Sequence, residues 1–562
     1  MVRWHCECRH GGVPLSRAQY EQATGNAVTD PKWSGQPAYQ FLLRADAAYQ
    51  ALRTAALEAA STGRDELALR RVREAARLAC FAHTGRFADG TLEGIALRIG
   101  QGSSALSVRP VLSRRHRVSG DVRRVLHVVS RTLPTGGHTR LLLNWIANDM
   151  DSRHSVVVLE QGRTPIPVFI ERAVEAGSGT LTRAPRSHSM LERAQGLRDL
   201  AMSQADTVIL HTHQFDAVPI VAFAAEECPP VGFVNHADHM FWLGGSIADA
   251  VISIRRFGNE LAQQRRFARH AHILPIPMAP ARPAIGRQAA RASLAIGDDA
   301  IVLLTVGSRY KYTPDGRYDF FETMGKILMA DPRAILLVVG LHRTDMSDHP
   351  VVAALADRIR FFGECPELAV FHGAADIYLD AFPYASFTAV LEAAAAGVCP
   401  VLMYDPVPQQ YVADDPGFSG LVHAMDEASY VANVQRLLDE KSLRHELAAR
   451  AASAVTKYHR GVEWIARLSS IYAELDDIGH HPLQLPPAES QVERADVDRL
   501  EWDRVMRGEL PLTALGLGGM DGPGDLAALA VQSVRRGETR ARLPHVRAWL
   551  GACRRVLGFG DL

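Results

Sequence analysis

Two stretches of the chain place groups suited to phosphate at the mouths of helices. The first, VLHVVSRTLPTGGHTRLLLNWI, runs from Val125 to Ile146. Its apolar opening reads as a buried parallel strand and its close as a helix, so Gly136, Gly137 and His138 fall at the junction. Two glycines let backbone approach a ligand closely. The unpaired N–H groups and positive dipole end of a helix start favour an anion. A plain tight turn accounts for this stretch alone equally well. The second, ADIYLDAFPYASFTAVLEAAAAGVCPVLMYD, spans Ala375 to Asp405. A strand ends near Asp380, and a turn carrying Ser386, Phe387 and Thr388 enters a helix that holds Glu392. Backbone N–H groups and hydroxyls there again face an anion. A carboxylate one turn into the helix can accept both hydrogen bonds of a ribose diol. Its bland alternative is a surface glutamate favoured by the helix dipole.

Histidines supply a second chemistry. ILHTHQFD sets His211 and His213 at one strand end, and GFVNHADHMFW sets Asn235, His236, Asp238 and His239 at the next. A His–Asp pair forms an oriented general base near neutral pH, so His236 with Asp238 is the expected base. Phe241 and Trp242 suit either a sugar face or the core. No G-x-S-x-G nucleophile elbow is present.

The elements that must position these residues are alternating strands and helices. VLHVVS, SVVVLE, DTVILHTH, PVGFVNH, AVISIR and HILPIPM form one series. IVLLTVGS, ILLVVGL, IRFFGE, DIYLDAF, CPVLMYD and GLVH form another, after the Pro/Ala-rich PIPMAPARP. The pattern predicts two doubly wound, Rossmann-like α/β domains facing a cleft, with helical extensions at both ends. Expected bounds are a helical extension over 1–121, an acceptor domain over 122–280, a donor-binding domain over 281–478 and a helical extension over 479–562. In the first extension, Tyr39 to Thr84 reads as a helical hairpin broken at Ser-Thr-Gly. GHHPLQLPPAES reads as a linker, and LEWDRVM and PHVRAWLGACRRVLGF have helical periodicity.

Composition narrows the classes. The 562 residues exceed one core. Lys+Arg 62 equals Asp+Glu 62, which gives no global attraction to nucleic acid. No apolar run approaches the roughly 18–20 residues of a membrane span, and the start lacks the apolar core of a signal peptide. Seven cysteines in so long a chain make no disulfide framework, which points to the cytoplasm. His5, Cys6, Cys8 and His10 lack zinc-ribbon spacing, so no metal site is expected.

From Arg124 to Leu475 the chain resembles the GT-B glycosyltransferases, which move sugar from a nucleotide donor. FPYASFTAVLEAAAAGVCPV resembles that family's donor-site pattern, with its Gly-x-x-Pro-Val return. The resemblance implies phosphate contact at Ser386, Phe387 and Thr388 and ribose contact at Glu392. LLTVGSRYKYTPDGRYDFF matches the place where family members grip the diphosphate, which implies that role for Arg309 and Lys311. IRFFGE implies base contact at Phe362 and Gly363. Gly136 and Gly137 correspond to the turn that approaches the donor phosphates across the cleft, and His138 faces the transferring sugar. Retaining members often carry a Glu eight residues before the ribose Glu, where this chain has Tyr384. The Thr-rich turn resembles the inverting O-GlcNAc transferase branch and its bacterial protein-glucosylating relatives. The implied partners are a nucleotide-sugar donor, with UDP the expected carrier, and a glycan, protein or small-molecule acceptor. No cofactor or nucleic acid is implied. A nucleotide-sugar 2-epimerase of the same fold, or a non-catalytic scaffold, are the competing readings.

Overall fold

The computed structural model describes residues 37–82, 84–102, 121–134, 137–279, 285–314, 318–365, 367–383, 385–403 and 424–487. The His5–His10 cluster, Gly136, Tyr384, the GLVH segment and everything after residue 487 lie outside them.

Two parallel sheets carry the architecture. The first holds β1 (Arg123–Val129), β2 (Ser152–Val158), β3 (Leu181–Arg183), β4 (Thr207–His211), β5 (Val231–Asn235), β6 (Ala250–Ser253) and β7 (Ala271–Ile273), in the order β3-β2-β1-β4-β5-β6-β7. The second holds β8 (Ile301–Val306), β9 (Ala334–Val339), β10 (Ile359–Phe361), β11 (Ile377–Leu379) and β12 (Cys399–Val401), in the order β10-β9-β8-β11-β12. Every described pairing is parallel. The central strands are apolar on both faces because helices cover both, as in β8, where Val302, Leu303 and Leu304 are fully buried. The short β3, Leu-Thr-Arg, is only partly buried and carries none of the apolar signal that marks the others.

Each order reverses once, at β1/β4 and at β8/β11. Such switch points open a crevice at the carboxyl ends of the strands, which is where ligands bind in this architecture.

The amino-terminal helices belong to the first sheet's core. Helices Pro37–Ser61 and Asp65–Ala82 form the expected hairpin, and Gly90–Gly102 follows. Tyr49, Leu69, Val72, Leu92 and Ile95 pack in one cluster with Val128, Val208 and Phe233. Glu93, fully buried, accepts from the backbone N–H groups of Gly244, Gly245 and Ser246 at 3.0, 3.1 and 2.7 Å. A buried carboxylate needs such donors to offset its desolvation.

The chain crosses between the sheets twice. After the second sheet, helix Gly461–Ile478 returns to the first and packs Trp464, Leu468, Ile471 and Leu475 against Val125, Trp145 and Ile209. The crossings bond to each other: Met278 N donates to His459 O and His459 Nδ1 to Ile276 O, both at 2.8 Å. The segment expected as a linker after this helix is instead docked. His480 bridges Asp249 at 2.7 Å and Phe223 O at 2.8 Å, and Leu485 is buried.

Candidate active site

The second switch point is lined by the ends of β8, β9 and β10 and by the entry to helix Phe387–Ala395. Gly340, at φ +101, comes so close to Gly307 that a Cβ would lie 2.3 Å from its carbonyl oxygen. Gly363, at φ +63, donates to Leu341 O at 2.8 Å, and a Cβ there would strike His342. Only glycine fits both constraints. The neighbouring Phe362 ring packs edge-on against Phe371, and its N–H donates to Val338 O at 3.0 Å.

Lys311 reaches across this floor. Its Nζ donates to Ala385 O at 2.8 Å, in the turn before the helix. Burial lowers its pKa to about 8, against an upward pull from Asp380. Burial raises Asp380 to about 7, opposed by the Ser386 N–H at 2.7 Å and by Lys311. Asp380 Oδ2 and Ser386 Oγ are buried without a partner among the described residues. Buried polar groups are ordinarily paired, which sets these two oxygens beside a buried ammonium apart from the core around them. Arg309 is not gathered into it: the side chain is 70% exposed and approaches Asp345 at 3.9 Å.

The first switch point faces this one. Helix Gly137–Asn148 starts opposite helix Phe387–Ala395, and a Cβ on Gly137 would lie 3.4 Å from Thr388 Oγ1. One turn further on, Arg140 of the first helix forms an ion pair with Glu392 of the second. The carboxylate expected at the ribose is thus held by a cation from the opposite half.

The histidines are ordered by hydrogen bonds that fix their tautomers. His138 Nε2 lies 2.6 Å from His211 O. A carbonyl only accepts, so Nε2 carries the proton and Nδ1 keeps its lone pair, with no partner among the described residues. Burial, with His213 nearby, lowers this ring to about 4. The His236 ring lies against it, centroids 4.6 Å apart. Both nitrogens of His236 are committed: Nδ1 donates to Val234 O at 3.2 Å, and Nε2 accepts from Gln214 Nε2 at 3.0 Å. The expected His236–Asp238 pair is not made. The tight turn after β5 swings Asp238 to Arg255, at 2.6 and 2.8 Å, and to His239 at 3.6 Å. Burial would raise Asp238, yet the Arg255 guanidinium holds it well below the usual carboxylate range. Trp242 stacks on Phe233 at 4.3 Å, 1% exposed, as part of the core.

Beneath the cleft lies a chain that the strand sequences do not reveal. His154 Nε2 lies 2.7 Å from Asp149 O, His154 Nδ1 lies 2.8 Å from His127 Nε2, and His127 Nδ1 lies 2.9 Å from His211 Nε2. Because Asp149 O only accepts, each neutral ring must donate through Nε2 and accept through Nδ1. The series ends at His211 Nδ1, which is buried with no partner among the described residues. Burial drives His127 and His211 well below the ordinary histidine range, so the rings are neutral. The signal for this chain was the histidine in each of three strands, readable only once β2-β1-β4 are known to be neighbours.

Residues 286–454, the region of the second sheet, match the family model for glycosyl transferases group 1. The second sheet and its helices are thus similar to that family, and both sheets have the doubly wound parallel form expected from the sequence. No curated protein matches the chain. Among solved structures, an O-GlcNAc transferase mutant from Thermobaculum terrenum aligns at 15% identity over 82% of this chain and 96% of its own, TM-score 0.47. Anabaena Alr3699/HepE in complex with UDP-glucose aligns at 14% identity over 63% and 100%, TM-score 0.48. A Listeria monocytogenes putative UDP-N-acetylglucosamine 2-epimerase aligns at 14% identity over 63% and 98%, TM-score 0.40.

Proposed function

We propose that the protein moves a sugar from a nucleoside-diphosphate donor, UDP-linked, to a hydroxyl or amide of a glycan, protein or small molecule, in the cytoplasm and without metal or cofactor. The first sheet with its helices receives the acceptor and the second holds the donor. The observation that carries this reading is the meeting of two helix N-termini, one from each half, at Gly137 and Thr388, with buried Lys311 behind the second.

The diphosphate lies between these helix ends, where the N–H groups at Gly137, Phe387 and Thr388, the Ser386 hydroxyl and Lys311 offset its charge as it leaves. Arg309 swings in from the exposed loop. Phe362 and Gly363 present backbone to the base, and the ribose diol displaces Arg140 from Glu392. His138 is the base: its Nδ1 lone pair is held toward the cleft by the bond to His211 O, whereas both nitrogens of His236 are used. It takes the proton of the acceptor hydroxyl as the oxygen attacks the sugar's anomeric carbon from the side opposite the leaving diphosphate. The new bond then has inverted configuration.

The test is a panel of nucleotide sugars incubated with the full chain, scored for release of nucleoside diphosphate and for the sugar product. Turnover of one UDP-sugar with unchanged C2 configuration is expected. A C2-epimerised product would establish the epimerase, and tight binding with no turnover of any donor would establish a scaffold.

A further inference from the structure

Beside His138 the first switch point continues outward onto a ledge shared by the ends of β1, β2 and β4 and by helix Asp65–Ala82. His213, whose N–H donates to Ser130 Oγ at 2.8 Å, packs against Phe215 at 5.3 Å. The guanidinium groups of Arg73 and Arg77 sit over the same ring, at 5.9 and 5.8 Å. Arg131, just past β1, is exposed and donates to Thr164 at 2.9 Å.

The carboxylates here do not balance these cations. Glu160 is committed to Arg73 at 2.5 Å. Asp216 turns inward to Ser130 Oγ at 2.5 Å and Val218 N at 3.1 Å. Among the described residues neither Arg77 nor Arg131 has a carboxylate partner, and Arg77 Nε is buried with no acceptor at all. Burial and the neighbouring Arg73 disfavour the Arg77 cation more than Cys80 and Glu160 favour it. A half-buried guanidinium is costly unless an anion meets it, and its planar fork suits the paired oxygens of a carboxylate or phosphate.

We propose that this ledge, with Arg77 at its centre and Arg73 and Arg131 at its sides, is an acceptor subsite that takes a carboxylate or phosphate group. The acceptor is then an anionic molecule, fixed by its charged group on the amino-terminal hairpin while its attacking hydroxyl lies at His138. The proposal rests on the reading of the cleft as a sugar-transfer site.

Inorganic phosphate and acetate are titrated into the full chain with UDP present at saturation, so that the donor site is filled. Saturable binding of one of them is expected. Arg77→Gln weakens it at least tenfold, Arg77→Lys by less, and UDP affinity stays within twofold in both. Tighter phosphate than acetate binding assigns a phosphorylated acceptor, and the reverse a carboxylated one. If UDP binds but neither anion does, or if Arg77→Gln binds the anion as the wild type does, the subsite is refuted. If UDP itself fails to bind, the sugar-transfer reading falls, a result distinct from failure of the ledge.

Discussion

Replacing His138 by alanine removes a cleft histidine whose lone pair is directed by a bond to a carbonyl and, unlike that of His236, meets no partner among the described residues. Its Nε2 proton is held 2.6 Å from His211 O, so the reactive nitrogen is Nδ1 without any tautomer equilibrium. Loss of a positioned general base costs about 10²–10⁴ in rate, or roughly 3–5.5 kcal/mol of barrier. The assay is UDP release with water as acceptor, alongside UDP binding by calorimetry. His138→Ala is expected to lose that rate and keep its UDP affinity. The pH profile is a second readout. The ring acts unprotonated and its pKa is lowered to about 4, so activity is retained from neutrality down to about pH 5 and lost as pH falls through 4. His236→Gln, at a ring with both nitrogens bonded, should lose less than about tenfold. A His138→Ala variant within tenfold of wild type, or an acid limb near the unperturbed histidine value of about 6.5, would refute the assignment.

Lys311→Ala should weaken UDP about ten- to hundredfold and leave uridine unaffected, since a charge-assisted hydrogen bond contributes about 1.5–3 kcal/mol. Wild-type UDP affinity should also fall as pH rises through about 8, where the lysine loses its proton, and an unchanged Kd in either experiment moves the phosphate site elsewhere. Glu392→Gln should weaken UDP and uridine alike, roughly tenfold, by loss of hydrogen bonds to the charged carboxylate; a variant defective only toward diphosphate contradicts the ribose role. The neutral histidine chain should make the fold acid-sensitive. His127 and His211 have folded pKa values below their unfolded ones, so the unfolded chain binds more protons below about pH 6.5. Each ring then withdraws up to about 1.4 kcal/mol per pH unit as pH falls from 6.5 toward the folded values. A melting temperature that is flat between pH 7.5 and 5 would show that the rings are not held neutral.

What the sequence made legible was local. Strand runs such as Ile301–Val306, the helix that starts at Gly137 and the Ser386–Glu392 helix entry carry their signal within a dozen residues, and the structure places them as read. Pairings across the chain were not legible. Arg140 meets Glu392 and Arg77 meets Phe215 only through the fold. Nearness in sequence also misled: a single residue separates His236 from Asp238, yet the turn sends the carboxylate to Arg255, seventeen positions on. The sequence of helix Gly461–Ile478 does not say which sheet it covers, because an apolar stripe fits either one.

That last helix bears on how the protein is made. The underside of the first sheet, formed by Val125, Trp145, Ile209 and Leu274, is complete only when Trp464 to Leu475 arrive. During synthesis the ribosome must first extrude everything from Ile273 to Gly461. At ~5–20 residues per second this takes on the order of ten to forty seconds. For that interval the nascent first half carries an uncovered apolar face, while the second sheet emerges and can fold on its own core. The order of maturation therefore runs against the order of translation: the half made first is the half finished last. A chain truncated shortly before Gly461 would keep all twelve described strands and still present that face to a chaperone.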